Sequence, residues 1–417
     1  MAAEDSRSLA ELSLFDPEVL KCPYHFDTQL RQDAPVYQDP QSGVFVVASY
    51  ALVREAHKAK DVFSNEFGQA VGSVRAVPPE VRAIQESNYN LGRGTLLTID
   101  DPEHRVYRDA VKDFFAADQF ARYEPWIRAR ARALLDDMTQ KNASNFIDDF
   151  ARPLPLSVIM HVLGMPLEMI DKAFQWTEDN VTVLSQIADT DALVAANKGL
   201  KEEYDWFAEA LDARRGKPVE DLLGLVSNAR YDDRPLTIEE QLSYCTQFLV
   251  AGNETTTATL AECMRQLCLY PDQLTKVRAD RSLIPNMVEE SLRLASPTSN
   301  MWRVAKTDYE LGGVTIPAGS MVLLKYFSSN HDDTMFEEPL AFDVTRANAK
   351  RHIAFGFGIH VCIGQHLSRL EMCVSWEEIL DRFETIELAC ADDELEYMPN
   401  ILLRGLREIP IRYSLKA

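Results

Sequence analysis

The sequence predicts a mainly α-helical protein with small β-sheets, an α+β fold in which helices form the body. Helical periodicity dominates from about residue 101 to residue 295. Short alternating patterns typical of strands occur only before and after this region. No Ser-, Gly- or Pro-rich linker and no internal repeat divides the chain. We therefore expect residues 16–417 to form one domain, preceded by a loose start at residues 1–15.

Regular elements are predicted from the start of this domain. The alternating segment Val44–Ser49 predicts a strand, and the apolar spacing of Tyr50–Lys58 predicts a helix directly after it. Longer helices are predicted near Gln119–Met138, Leu167–Leu184, Asp191–Arg215, Thr237–Tyr270 and Pro271–Leu294. Strands are predicted again at Tyr309–Leu311, Val314–Ile316 and Met321–Tyr326, where Gly312-Gly313 and Pro317-Ala318-Gly319 mark the turns.

Composition excludes several classes of protein. The chain has 46 % hydrophobic and 26 % charged residues, as ordinary globular proteins do. No apolar run approaches the ~20 residues of a membrane span, and the acidic N-terminus does not resemble a secretory signal, so we expect a soluble, cytoplasmic protein. A net charge of −22 disfavours nucleic acid and anionic membranes as partners. Seven scattered cysteines without a C-x-x-C pair fit neither a disulfide framework nor a zinc ribbon.

A glycine-rich segment places a lone cysteine at the start of a predicted helix. Residues 355–364 read Phe-Gly-Phe-Gly-Ile-His-Val-Cys-Ile-Gly. Free backbone N–H groups and the positive end of the helix dipole would stabilise a thiolate at Cys362 and lower its pKa. The glycines would allow a flat ligand to approach the backbone closely. The alternative interpretation is a glycine-rich connection with a buried structural cysteine.

The whole pattern Phe-Gly-x-Gly-x-His-x-Cys-x-Gly, with Leu367 and Arg369 behind it, closely resembles the haem-binding loop of the cytochrome P450 family, particularly its soluble bacterial members. The resemblance implies haem b as cofactor, with the cysteine as axial ligand of the iron and N–H groups around Ile363 and Gly364 bonding its sulfur. Ser368 stands where the family more often has Ala. The loop residues to which the resemblance gives a role in cofactor binding are Phe355, Gly356, His360, Cys362 and Gly364, of which His360 would bind a haem propionate.

A second motif, Ala-Gly-Asn-Glu-Thr-Thr at residues 251–256, lies inside a long predicted helix. Glycine costs about 1 kcal/mol relative to Ala in a helix interior, and Thr hydroxyls can divert backbone carbonyls, so we expect a local distortion. The segment resembles the family's oxygen-binding helix. The resemblance implies that a widened turn at Ala251 and Gly252 accommodates dioxygen, while Glu254 and Thr255 relay protons. An amphipathic helix with an incidental glycine and a solvated Glu is the alternative.

Charged residues elsewhere complete the pattern. Glu290 and Arg293 share one helix face, and their position before Cys362 resembles that of the family's structural salt bridge. His104 and Arg108 stand four residues apart on a predicted helix, and Arg303 lies on a predicted strand. The resemblance places these last three residues near the haem propionates, and arginine suits a buried carboxylate because its guanidinium stays charged.

The resemblance covers nearly the whole chain and implies the single triangular cytochrome P450 fold, in a monomer. It also implies a monooxygenase that inserts one oxygen atom from O2 into an organic substrate by hydroxylation or epoxidation. Electrons would come from a ferredoxin served by a ferredoxin reductase, with Arg105, Lys112 and Arg351 as candidate docking residues. A peroxide-driven haem-thiolate enzyme and a non-catalytic haem sensor or carrier are the alternatives.

The family's substrate pocket is lined by its most variable segments. Candidate walls include residues 71–97 and residues 176–207. Single residues expected in the pocket are Gln247, Phe248, Ala251, Thr255, Ser299, Met301, Ile401 and Leu402. Because this set is predominantly apolar, we expect a hydrophobic small molecule of the terpenoid, steroid or aromatic class.

Overall fold

Helices form the body of the molecule in the computed structural model, which describes residues 7–68, 77–91, 94–141, 144–185 and 188–416. The α-helices of this described chain are α1 (Pro17–Lys21), α2 (Tyr24–Asp33), α3 (Tyr50–Lys58), α4 (Pro79–Glu86), α5 (Glu103–Val111), α6 (Ala117–Phe120), α7 (Glu124–Thr139), α8 (Pro153–Leu163), α9 (Ile170–Leu184), α10 (Thr190–Asp212), α11 (Leu222–Asn228), α12 (Ile238–Leu269), α13 (Pro271–Ala279), α14 (Ile284–Ala295), α15 (Tyr326–Asn330) and α16 (Gln365–Arg382). None of the described helices is both long and apolar enough to cross a membrane.

The strands form small sheets. They are β1 (Val36–Gln38), β2 (Phe45–Val47), β3 (Phe63–Ser64), β4 (Ser144–Asn145), β5 (Arg230–Tyr231), β6 (Arg234–Pro235), β7 (Asn300–Ala305), β8 (Tyr309–Leu311), β9 (Val314–Ile316), β10 (Met321–Lys325), β11 (Phe383–Leu388) and β12 (Pro410–Leu415). The largest sheet has the order β1-β2-β10-β7-β3, in which β2 and β10 pair in parallel and the other neighbours are antiparallel. A second sheet has the order β11-β12-β4, and β5–β6 and β8–β9 form antiparallel pairs.

The largest sheet is buried on both faces. Phe45 and Val47 belong to one apolar cluster, whereas Val46 and Leu323 belong to another, because successive side chains on a strand point to opposite faces. Leu12 and Leu14 pack in that second cluster and are each 1 % exposed. The loose start predicted for residues 1–15 therefore does not extend to these two leucines, and residues 1–6 lie outside the described part of the chain.

Helix α12 runs through the main core and contacts α8, α9, α10, α14 and α16. It begins at a capping box: Thr237 Oγ1 accepts a hydrogen bond from the Glu240 N–H, and Glu240 Oε2 accepts one from the Thr237 N–H. This reciprocal pairing satisfies two backbone donors that a helix start leaves without partners. The helix therefore has a defined origin and carries residues 251–256 into the middle of the molecule.

The predicted α+β fold class is confirmed, and so are the strand within Val44–Ser49 and the helix Tyr50–Lys58. The single helix predicted over Pro271–Leu294 is wrong, because the structure has α13 and α14 there. Asp280 ends the first of these helices and accepts a hydrogen bond from the Ser282 N–H, and Pro285 lies in the first turn of the second. A polar cap followed by a proline ends one helix and starts another.

Candidate active site

The cysteine loop joins a short helical turn at Gly358–His360 to α16, and Cys362 lies between them. The Cys362 backbone N–H donates to the Phe355 carbonyl oxygen at 2.8 Å, which folds the loop back on itself. Gly356 and Gly358 have φ angles of +73° and +79°, which residues with a Cβ rarely adopt. The turn itself therefore requires both glycines.

Burial raises the pKa of the Cys362 thiol, although backbone N–H groups of Gly364 and Gln365 hydrogen-bond the sulfur and act in the opposite direction. The expected direction of this shift is thereby corrected. The pKa is raised rather than lowered, because the cost of burying a thiolate outweighs the helix-start donors. Of the donors expected around Ile363 and Gly364, the N–H group of Gly364 bonds the sulfur, and the N–H group of Gln365 is a further donor. A metal ion that coordinates this sulfur would displace its proton.

Two arginines flank the cysteine loop and favour the thiolate form of Cys362. Arg108 of α5 donates to the Val361 carbonyl oxygen at 2.8 Å. The guanidinium carbon of Arg369, on α16, lies 4.5 Å from the centre of the Phe355 ring. The predicted anchor Arg108 is thus brought to the loop, and Phe355 is fixed in place by a cation stacked on its ring.

A carboxylate that the sequence analysis missed holds Arg369. Glu289 accepts from Arg369 Nε at 2.7 Å and from its terminal nitrogen at 3.1 Å, and lies 3.0 Å from His352 Nε2. Burial alone would raise the pKa of Glu289, but these hydrogen bonds lower it to about 2. Glu289 therefore stays ionised and positions Arg369. Its signal in the sequence is the second acid beside Glu290.

The predicted propionate anchors His104, Arg303 and His360 are buried or half-buried and converge. The rings of His104 and His360 lie 3.9 Å apart between centroids, and Arg303 lines one cavity with His360. Burial, followed by the nearby His104 and Arg303, lowers the pKa of His360 to about 3. Burial and the charge of Arg108 also lower the pKa of His104. Both imidazoles are therefore neutral at neutral pH.

These imidazoles fit a bound carboxylate. The Nε2 atoms of His104 and His360 are buried and have no hydrogen-bond partner in the described structure. A buried polar atom without a partner costs about 1–3 kcal/mol, so such atoms point to a ligand. Haem b carries two propionate carboxylates, which accept from imidazole and guanidinium donors. The residues present, together with the Cys362 sulfur, therefore fit this cofactor.

Helix α12 carries residues 251–255 as an uninterrupted α-helix, so the distortion predicted at Gly252 is not present. A Cβ at Gly252 would lie 2.7 Å from the Ile159 side chain on α8. The glycine thus permits close packing of two helices. Thr255 Oγ1 donates to the Ala251 carbonyl oxygen at 3.1 Å, which fixes the hydroxyl on the helix surface. Ala251 is exposed there, and Thr255 is half-buried.

The Glu254 carboxyl lies beside Thr255 and is partly buried. Its Oε1 accepts from Asn253 Nδ2 at 3.0 Å. Burial, followed by the negative charge of Glu178 on α9, raises the pKa of Glu254 to about 7, while Arg152 lowers it. A carboxyl with such a pKa can both hold and release a proton at neutral pH. Glu178 and Arg152 were not identified from the sequence, because they lie far from Glu254 along the chain.

Two of the expected pocket residues have other partners. Gln247 Nε2 donates to Ser243 Oγ at 2.7 Å and to Thr95 Oγ1 at 3.2 Å, and its Oε1 accepts from the Leu97 N–H at 3.1 Å. The side chain thus fastens residues 95–97 to α12 instead of offering a free amide to a substrate. Phe248 is 5 % exposed and belongs to the main apolar core.

The expected walls on the sheet side are brought together. Ser299 donates to the Leu402 carbonyl oxygen through its N–H at 2.8 Å and through its hydroxyl at 3.2 Å. Met301 is half-buried beside this contact on β7, whereas Ile401 is fully buried in an apolar cluster. The wall predicted at residues 71–97 is described only at residues 77–91 and 94–97.

The predicted structural pair Glu290–Arg293 is fully buried. Arg293 donates to the two carboxylate oxygens at 2.7 and 2.8 Å. Arg346, which the sequence analysis missed, donates to Glu290 Oε1 at 2.9 Å. Arg293 also binds the carbonyl oxygens of Asn330 and Ala341. The cluster therefore ties α14 to the chain that leads into the cysteine loop, and the paired charges offset each other's cost of burial.

The chain is similar to known proteins over almost its whole length. The family model described as Cytochrome P450 matches residues 200–407. The chain is 31 % identical over 385 residues to a steroid C26-monooxygenase of Mycobacterium tuberculosis, covering 92 % of this chain and 92 % of the relative. It is 33 % identical over 399 residues to cytochrome P450 109 of Bacillus spizizenii, covering 94 % of this chain and 92 % of the relative.

A solved structure shares the architecture. Cytochrome P450 CREJ in complex with (4-ethylphenyl) dihydrogen phosphate superposes with a TM-score of 0.90 at 27 % identity, covering 98 % of this chain and 100 % of the other. The sequence identity extends over almost the full length of the relatives, and the motifs at residues 251–256 and 355–364 lie within the matched family region. This chain belongs to the cytochrome P450 family.

Proposed function

We propose that Cys362 binds the iron of haem b in this monooxygenase, and that His104, Arg108, Arg303 and His360 hold the haem propionates. The cysteine loop is the observation that carries the proposal. Its sulfur receives two backbone N–H groups, and imidazoles whose buried Nε2 atoms have no hydrogen-bond partner lie close by. Phe355, Gly356 and Gly364 would shape the loop around the cofactor.

Haem b bound through a thiolate supplies the activation of O2 and the transfer of one oxygen atom to the substrate, by hydroxylation or epoxidation. The protein's own residues deliver protons and leave room beside the Thr255 hydroxyl. Glu254 takes up and releases protons near neutral pH, and the adjacent Thr255 hydroxyl passes them on. The exposed methyl group of Ala251 leaves room beside that hydroxyl. Gly252 contributes by allowing α8 to pack closely on α12.

The substrate is a hydrophobic small molecule of the steroid, terpenoid or aromatic class. The expected walls are mostly apolar, with Met301 and Ala251 among their accessible members and Leu402 buried. The steroid C26-monooxygenase named above and the aromatic ligand in the CREJ complex support this range. Gln247 shapes the pocket indirectly, because its amide is occupied by residues 95–97.

Electrons come from a ferredoxin-type partner in the cytoplasm, and the protein acts as a monomer. The Glu254–Thr255 pair favours dioxygen chemistry over a peroxide-driven enzyme, since a peroxide-driven enzyme does not need protons delivered to O2. A haem sensor or carrier would not consume NADH with formation of an oxidised product. Measuring both quantities in the presence of a ferredoxin and its reductase therefore separates the alternatives.

Replacing the ligand tests the central assignment. Cys362→Ser should abolish thiolate ligation, because a neutral hydroxyl does not supply an anionic donor, and the reduced carbon monoxide complex should lose its red-shifted absorption band. Cys373→Ser, in a half-buried cysteine of the following helix, is the matched control and should keep the band. A Cys362→Ser protein that retains the band would show that another cysteine binds the iron.

The proton relay is tested at Thr255. Thr255→Ala should retain the substrate-induced spin shift and substantial NADH use. It should nevertheless divert electrons to hydrogen peroxide, because without the Thr255 hydroxyl the protons are no longer delivered at a defined position. Thr259 makes the same kind of hydroxyl-to-carbonyl bond one turn later, at 2.9 Å, so Thr259→Ala is the control and should keep its product yield. An unchanged yield of product per NADH in Thr255→Ala would contradict the relay.

A further inference from the structure

A third buried imidazole faces the cluster formed by His360 and Arg303. His57 lies in the last turn of α3, is 8 % exposed, and lines the same cavity as those two residues. The end of α3 also packs against the cysteine loop, since a Cβ at Gly358 would lie 3.5 Å from the His57 carbonyl oxygen. His57 therefore belongs to the wall of the proposed propionate site, although no motif in the sequence marks it.

The contacts of the His57 ring determine which nitrogen carries the proton. Nδ1 lies 3.4 Å from a terminal nitrogen of Arg303. A guanidinium group has donors only, so Nδ1 must act as the acceptor and the proton resides on Nε2. Burial, followed by the charges of Arg303 and His360, holds the pKa of His57 well below its ordinary value. His57 is therefore a neutral imidazole with an Nε2–H donor.

That donor has no partner. The Nε2 atom of His57 is buried without a hydrogen bond, as are those of His104 and His360. Two carboxylates of the same cavity already have partners, because Asp100 accepts from Lys306 at 2.6 Å and Asp101 accepts from Lys60 at 2.9 Å, and the third, Asp61, is exposed to solvent. The missing acceptor of these imidazoles is thus not a described side chain of the cavity, and the cost of leaving them unpaired points to an anionic ligand.

We propose that His57 is a haem-binding residue whose Nε2–H donates to a propionate carboxylate alongside Arg303 and His360. The inference rests on the proposed function, because haem b supplies the carboxylate. Aromatic neighbours hold the ring in place: its centroid lies 5.5 Å from that of Tyr326 and 6.3 Å from that of Phe357. Little side-chain freedom is left to lose on binding, so the donor is preorganised.

The test measures how firmly the purified holoenzyme keeps its haem. His57→Phe keeps an aromatic ring at this position but removes the N–H donor. The rate of haem transfer to excess apomyoglobin should then rise about tenfold, as expected for the loss of one hydrogen bond to a charged group. The reduction potential should become more negative, because a less neutralised propionate favours the ferric iron. His57→Gln places an amide donor near the same position and should restore both values toward the parent. His57→Leu replaces His57→Phe where the latter does not fold.

Two controls separate the possible results. His331→Phe removes another buried imidazole whose Nε2 lacks a partner but which does not line this cavity, and it should leave both readouts unchanged. Arg303→Met should accelerate haem transfer. Unchanged values in His57→Phe with acceleration in Arg303→Met would overturn the role of His57 and leave the proposed function standing. Unchanged values in both variants would overturn the propionate assignment of the whole cluster, whereas the assignment of Cys362 as iron ligand is tested separately by Cys362→Ser.

Discussion

At the scale of single residues, the environment of the Glu254 carboxyl decides how protons are handled. Glu178 has a raised pKa of its own, chiefly through burial, and its charge raises the pKa of Glu254. Arg152 acts in the opposite direction and is held by an ion pair with Asp148. Burial thus raises the pKa of Glu254 to about 7, and two neighbours of opposite charge adjust it in opposite directions.

Removing either neighbour should move the pH dependence of turnover, in opposite directions. The protonated acid delivers protons, so turnover falls as pH rises through the pKa of Glu254. Glu178→Gln lowers that pKa and should move the fall to lower pH, and Arg152→Gln should move it to higher pH, each by up to about one unit. Turnover at saturating substrate, measured across pH, gives both values. Glu168→Gln, at an exposed position, is the control, and two shifts of the same sign would contradict this account.

At the scale of elements, one buried carboxyl joins three helices near the proposed pocket. Glu203 of α10 is fully buried, and it accepts from Asn180 Nδ2 of α9 at 2.8 Å and from Thr246 Oγ1 of α12 at 3.0 Å. Burial raises the pKa of Glu203 from 4.5 to about 8, Asp179 adds to the shift, and the two hydrogen bonds reduce it. The three helices therefore pack around a protonated acid at neutral pH.

This acid should make stability depend on pH. Between pH 4.5 and about 8 the folded protein holds a proton on Glu203 that the unfolded chain releases, so stability falls as pH rises through this window. From pH 5.5 to pH 8 the loss is roughly 3 kcal/mol for a shift of this size. Glu203→Gln keeps the side-chain shape but removes the ionisation, and it should flatten the change in melting temperature with pH.

The control for this prediction is the preceding residue, Glu202. Glu202 is 55 % exposed in an ion pair with Lys172, so Glu202→Gln should leave the pH dependence unchanged. Some dependence should remain even in Glu203→Gln, because burial also raises the pKa of Glu371. A slope equal to that of the parent would show that Glu203 is not a source of the dependence.

At the scale of the whole molecule, a strongly acidic protein carries exposed bases near the cysteine loop. The net charge is −22, yet Arg105 on α5, Lys112 just after it and Arg351 before the loop are exposed. Helix α5 is tied to the loop through Arg108. Lys112 pairs with Asp109 at 2.8 Å, which reduces its share of the positive charge. We propose that these bases dock the acidic ferredoxin.

Reversing one of these charges tests the docking surface. Arg105→Glu should slow reduction by the ferredoxin about three- to tenfold at low ionic strength, with the difference vanishing as salt is added, because charge complementarity acts on association and is screened. Stopped-flow reduction across salt concentrations measures this. Arg82→Glu makes the same charge change at an exposed position of α4, which packs on α10. Ferredoxin should reduce this control variant at the parental rate. Equal rates in Arg105→Glu and its parent at low salt would remove the proposed surface.

Much of this architecture could be predicted from the sequence, because the information is local. Apolar periodicity predicted α3 and α12 at nearly their observed bounds, since one helix face must be buried. Gly356 and Gly358 have positive φ angles that few other residues adopt, so the turn requires glycines there. These glycines made the cysteine loop identifiable from its amino-acid sequence. The family resemblance then placed Cys362, Glu254 and Thr255 in order along the chain.

Helix packing, long-range ion pairs and shifted pKa values were decided only by the tertiary structure, because they depend on which elements contact each other. Gly252 is needed because Ile159 packs closely against it, and Arg346 completes the ion-pair cluster around Glu290. No local sequence pattern connects either pair of residues. The pKa of Cys362 is raised although its local sequence favours a thiolate, because burial is produced by the surrounding fold. The amino-acid sequence by itself determines where helices and turns form and which residue types are available as ligands. Burial of charged groups and pairing between residues distant in the sequence arise only when the helices pack together, because both effects act through space.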